Sequence, residues 1–139
     1  MAGTPSIERL RGVDLFASLD DADLESLAAE FNHRTYAEGS AIATEGESGL
    51  VFFVVDAGEA TVTVGGREVA RLGPGQAFGE IALIDKRPRS ATVTAATELE
   101  AFTMPIWSFR PFVEARPSVA WKLLEVLADR LAAAQGRDE

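Results

Sequence analysis

Glycine punctuates the chain so often between Leu50 and Met104 that its apolar runs are too short for helices of ordinary length and suit strands instead. The run LVFFVV, Leu50 to Val55, is stopped by Asp56-Ala57-Gly58, which reads as a turn. EATVTV then alternates, with Ala60, Val62 and Val64 on one face and Glu59, Thr61 and Thr63 on the other. Gly65-Gly66 follows, and a glycine pair suits a two-residue hairpin turn whose central residues both need positive φ. REVARL returns, and Gly73-Pro74-Gly75 breaks the chain again. SATVTAATELEAFTM supplies two more strands with a turn near Ala96-Thr97. Many short strands joined this closely predict an antiparallel sandwich, roll or barrel.

Both flanks change period. In DDADLESLAAEF, Leu24, Leu27 and Ala28 recur at helical spacing behind an acidic start, and Asp20 or Asp21 suits the N-cap. After Pro105, the residues Trp121, Leu124, Ala128 and Leu131 follow a helical period, with Leu123 and Leu127 widening the stripe. The expected organisation is one α+β domain over 1–139: helices to about residue 30, a β-roll over 31–104, and helices over 105–135.

Composition narrows the chemistry. The chain has 139 residues, enough for a domain that buries about 70% of its unfolded surface. It has no cysteine, which excludes disulfides and thiolate zinc sites. A formal charge of −9 argues against non-specific binding to nucleic acid or anionic lipid. No apolar run suits a membrane span, and MAGTPSIERLRG lacks the apolar core of a signal peptide, so a cytoplasmic location is expected. A metal-binding β-barrel enzyme would need several histidines, and His33 is the sole one; beside Asn32 and Arg34 it reads as a surface or turn residue. No histidine base accompanies the serines in a recognisable context. Enzymatic chemistry and a metal cofactor are therefore not expected.

The remaining concentration of chemistry is FGEIALIDKRPRSATV, Phe78 to Val93. Gly79 lets the backbone approach a partner closely. EIAL can form one helical turn whose free amides make an anion site. Arg89, ten residues beyond Gly79, presents a planar guanidinium suited to two phosphate oxygens. Glu80 is an acceptor when ionised, which suits a hydroxyl donor or the nearby arginine. An anion that carries hydroxyls describes a sugar phosphate or nucleotide. Lys86 and Arg87 read as a solvated loop tip.

This segment also closely resembles the phosphate-binding cassette of cyclic-nucleotide-binding domains, found in cyclic-AMP-dependent kinase regulatory subunits, catabolite activator proteins and cyclic-nucleotide-gated channels. EGESGLVFFVVDAGEATVTV is similar to the family's glycine-punctuated early strands, and the flanking helical zones match its organisation. The resemblance implies an antiparallel β-roll or jelly-roll barrel flanked by helices, with a short helix in the cassette. It implies that Gly79 and Glu80 hold the ribose 2′-hydroxyl and that the amides of Ile81 and Ala82 face the cyclic phosphate. Arg89 would neutralise that phosphate, with Ser90 and Ala91 on its other side. The implied ligand is cyclic AMP, with cyclic GMP the competing choice because Ser90 carries a hydroxyl where many cyclic-AMP sites have alanine. Trp121 or Arg130 would cover the base, against a plainer expectation that Trp121 packs in the core.

Three readings of function stand at this point. With the chain ending soon after AAAQ, the first is a stand-alone cyclic-nucleotide sensor acting through an effector protein, or through a second copy met at the C-terminal helix. The second is a β-roll interaction domain that has lost its ligand, with Glu80 and Arg89 as a buried ion pair. The third is hydrolysis of the cyclic phosphate, disfavoured by the lack of metal-ligating residues.

Overall fold

The computed structural model describes residues 3–47, 51–79, 83–84 and 88–136. Two short helices open the chain, α1 (Ile7–Arg11) and α2 (Asp21–Ala28), separated by a 3-10 turn at Asp14–Phe16. The strands β1 (Asn32–Tyr36), β2 (Ala41–Ala43), β3 (Val51–Ala57), β4 (Ala60–Val64), β5 (Arg67–Leu72), β6 (Ala77–Phe78), β7 (Thr92–Ala95) and β8 (Leu99–Pro105) follow. A 3-10 turn at Ile106–Ser108 leads into α3 (Phe109–Glu114) and α4 (Pro117–Gln135). The strands form two antiparallel sheets, ordered β1-β8-β3-β6 and β2-β7-β4-β5. This is the expected α+β roll with flanking helices; its two sheets pack face to face and do not close into a barrel. Among the described residues no helix is long and apolar enough to cross a membrane.

Two cores follow from the alternation of side chains along β3 and β8. Phe53, Val55, Leu99 and Ala101 meet Ala60, Val62, Val93 and Ala95 between the sheets. The opposite face of the first sheet, with Phe52, Val54, Phe102 and Met104, packs against the helices through Leu10, Phe16, Leu24, Leu27, Phe109 and Val119. Strand β5 is largely exposed and carries Arg67, Glu68 and Arg71, charges that discourage pairing at the sheet's edge.

Several sequence expectations sharpen or change. Gly65 and Gly66 both have positive φ, 59° and 81°, as the hairpin turn requires. The β3 strand runs on through Asp56 and Ala57, so the turn begins at Gly58, where φ is +90° and a Cβ would strike the Glu98 carbonyl oxygen. Val64 is 42% exposed, because the pairing face ends at the hairpin. Trp121 does not join the core; it is 65% exposed, and Leu124 and Leu131 are exposed beside it. The buried positions of α4 are Val119 and Leu123. Leu124 lies one residue on from Leu123, about 100° round the helix, and a period shared by two apolar stripes does not say which one faces inward.

Asp20 caps α2, its side chain accepting from the amide of Asp23 at 2.9 Å. That backbone hydrogen bond is the main reason its pKa falls below the ordinary 3.8. A depressed carboxylate contributes stability that is present above its unfolded value and lost as pH falls through the folded one. Asp20→Ala should therefore be less stable than the unmodified chain at neutral pH. Urea unfolding of both proteins should show the gap closing as pH falls below 3.8.

Candidate functional site

Strand β6 is two residues long and pairs with the middle of β3, Phe53 opposite Phe78 and Val54 opposite Ala77. It thereby places Gly79 at the edge of the first sheet. Gly79 has φ +93°, and a Cβ there would collide with Nη1 of Arg89. The glycine is required twice, by its backbone conformation and by the guanidinium lying against its Cα.

Arg89 reaches this position because its backbone is clamped. Its amide donates to the Glu47 carbonyl at 2.7 Å, and its carbonyl accepts from the Gly46 amide at 2.9 Å. The neighbouring turn is tied down in turn by the Glu45 amide, which donates to Thr92 Oγ1 at 2.9 Å. The side chain runs inward and is 8% exposed. Nη2 donates to the Val51 carbonyl, and Cζ stands 5.4 Å from the centre of the Phe78 ring. Burial lowers the guanidinium's pKa, yet arginine remains a cation at any physiological pH. Nε is buried without a hydrogen-bond partner, and among the described residues no carboxylate pairs with this cation. A buried charge with an unused donor is unfavourable on its own and favours an acceptor-rich anion beside it.

The other sequence-named residues divide. Ser90 is exposed, whereas the Ala91 methyl is buried in the core between the sheets. Glu80, Ile81 and Ala82, and with them most of the expected short helix, lie outside the described residues, as do Lys86 and Arg87. Just beyond, Leu83 is buried in the helical core with Phe109, Val119 and Leu123. Ile84 is exposed and lines a groove of about 430 Å³ with Phe109, Val113, Leu124 and Leu127. Arg130 does not lie open to a ligand: its Nη2 donates to Asp14 Oδ2 at 3.0 Å, so covering a base would require that pair to part. Trp121, the other residue named for that role, is exposed on α4.

One contact of Arg89 and one cluster away from the cassette carried no readable signal. Val51 enters through its carbonyl, which any residue possesses. His33, expected in a turn or on the surface, lies within β1, half-buried, with Nε2 at 3.5 Å from Asp56 and 3.2 Å from Glu100. Partners on distant strands cannot be read from its neighbours Asn32 and Arg34.

Comparison with known proteins places the chain in a family. The family model described as "Cyclic nucleotide-binding domain" matches residues 33–116. A cAMP-dependent protein kinase regulatory subunit from Yarrowia lipolytica is 40% identical over 97 residues, 68% of this chain and 26% of that protein. A cGMP-dependent protein kinase from Eimeria tenella is 36% identical over 124 residues, 81% of this chain and 12% of that protein. The chain thus spans about a quarter or less of the length of these two relatives. Among solved structures, the N-terminal domain of a transcriptional regulator from Streptomyces coelicolor superposes with a TM-score of 0.84 at 33% identity, covering 91% of this chain and 92% of that one. A buried arginine lying on a positive-φ glycine, within the span matched by the family model, completes the assignment: the chain belongs to the cyclic nucleotide-binding domain family.

Proposed function

We propose that this chain is a non-catalytic sensor of cyclic AMP that passes the binding signal to a partner protein through α4. The observation that carries the reading is Arg89, a cation buried against Gly79 with Nε unpartnered. A cyclic phosphate is an anion of matching size, and a guanidinium can meet two of its oxygens at once. In this reading the Ile81 and Ala82 amides complete the phosphate shell, with Ser90 and Ala91 opposite. Gly79 and Glu80 take the ribose 2′-hydroxyl. Relatives are named for both cyclic AMP and cyclic GMP, and the preference here is for cyclic AMP.

Calorimetry with each cyclic nucleotide tests the ligand. Cyclic AMP should bind the unmodified chain more tightly than cyclic GMP. Arg89→Ala should weaken cyclic AMP by about 2–5 kcal/mol, the scale for removing one side of a buried charge pair. If neither nucleotide binds, the reading gives way to an interaction domain that has lost its ligand. Unchanged affinity in the variant would remove Arg89 from the site.

The ribose is tested with a modified ligand. A 2′-deoxy cyclic nucleotide should bind more weakly than cyclic AMP, because the Glu80 carboxylate then lacks a donor. Glu80→Gln should narrow that difference, and equal affinities on the unmodified chain would place the 2′-hydroxyl elsewhere.

Output is proposed to run along α4. Leu83, three residues past Glu80, is buried against Phe109, Val119 and Leu123, so a shift in the cassette is felt by both C-terminal helices. The exposed Trp121, Leu124 and Leu131 offer a surface for an effector or a second copy. Hydrogen exchange with and without cyclic AMP should show protection gained across Ser118 to Leu131 as well as around Arg89. Protection confined to Phe78 through Thr92 would mean a helix that does not respond.

A further inference from the structure

On the helix-covered face of the first sheet, three adjacent strands bring together side chains that neither core nor cassette uses. His33 of β1 stands opposite Phe102 of β8, and Glu100 lies two residues along β8 on the same face. Asp56 of β3 falls where the register shifts between Val55 and Ala57, an irregularity of the kind that re-aims a side chain. One donor atom from each residue lies within 4.8 Å of the other two. We propose that His33, Asp56 and Glu100 form a binding site for one divalent transition-metal ion of the zinc class.

The distances suit such an ion. Donors about 2.05 Å from a tetrahedral ion stand about 3.3 Å from one another. The His33 Nε2 distances are 3.5 Å to Asp56 Oδ2 and 3.2 Å to Glu100 Oε1. The donor set, one imidazole and two carboxylates, falls within the nitrogen and oxygen ligands that zinc accepts. Side-chain exposures of 23%, 31% and 45% leave the cluster reachable, so water takes the fourth position.

Neighbouring groups orient these donors. Arg9 of α1 stands 3.4 Å from Asp56 Oδ1 and also from the Asp56 carbonyl, which holds that carboxylate with Oδ2 turned to His33. The His33 ring meets Phe102 edge-on at 5.3 Å between centroids, which fixes its plane. Outer contacts of this kind set ligand orientation in metal sites. With neutral imidazole, the two carboxylates and Arg9 sum to one negative charge, so a dication enters an attractive field. The ion would tie β1, β8 and β3 together and, through Arg9, hold α1 to the sheet.

The test uses the full chain without an affinity tag, stripped of metal, titrated with zinc by calorimetry and with cobalt by visible absorption. One ion should bind per chain with saturation. His33→Gln and Glu100→Gln should each weaken uptake by at least about tenfold, since even outer-shell changes cost that much. Cyclic AMP affinity measured on the same variants reports whether they remain folded. Lack of saturable one-to-one uptake by the unmodified chain overturns the proposal. Equal uptake by the unmodified chain and both folded variants overturns it too, because the ion would then sit elsewhere on this acidic surface.

Discussion

Phe52 and Val54 leave β3 toward the helices, while Phe53 and Val55 leave the same strand toward the second sheet. A strand buried on both faces has no room for a polar side chain, and β3 carries none until Asp56. The polar groups it can offer nearby are those of its backbone, most of which its neighbours engage. Val51 has the parity of Val55, whose amide and carbonyl meet Gln76 and Gly75 on the β6 side, so the Val51 carbonyl points to that side too, beyond Phe78 where β6 ends. The Val51 carbonyl is therefore open to another donor, and Arg89 Nη2 takes it. The position of the buried cation thus follows from how the central strand is covered and where its ladder lacks a donor.

That cation also explains why the segment before it has its composition. A guanidinium fits at Gly79 because nothing projects from that Cα, and the Phe78 ring gives it a face to lie on. Among the described residues, one carbonyl and one ring do not satisfy five N–H donors, and Nε is left over. Keeping such a group inside costs stability unless an anion compensates. An anion that bound beside Arg89 would offset that cost and raise the stability of the fold.

The sequence made the strands, hairpin and caps readable because each has a local cause. Gly65-Gly66 forces its turn, Asp20 accepts its own helix's amide, and Thr61 and Val62 alternate about one strand. Arg89 and Gly79 were readable because the cassette keeps chemistry-bearing residues in a fixed order. What escaped depends on elements far apart in the chain. Trp121 and Leu123 both sit in an apolar helical pattern, and only the packing of α4 on Phe109 and Phe16 buries one and exposes the other. Arg130 meets Asp14 across 116 positions of sequence, and His33 meets Asp56 and Glu100 across three strands. No local pattern encodes such encounters.

One side chain connects the segment after Gly79 to the C-terminal helices. Leu83 is buried among Phe109, Val119 and Leu123, so displacing it disturbs apolar surface shared with both C-terminal helices. Close-packed contacts resist continuous deformation, which favours two discrete arrangements over a graded one. A ligand shifts such an equilibrium only by its difference in affinity for the two states, about 1.4 kcal/mol for a tenfold preference. In the proposed reading the Ile81 and Ala82 amides that meet the phosphate are two and one residues before Leu83, close enough to bias its packing directly. About two turns further along α4, the Arg130 pair with Asp14 adds a contact to the N-terminal turn, and it is exposed enough for screening and side-chain entropy to keep it weak. In that reading a bias at Leu83 reaches α4 where Val119 and Leu123 pack, and the exposed Trp121 and Leu124 move with it.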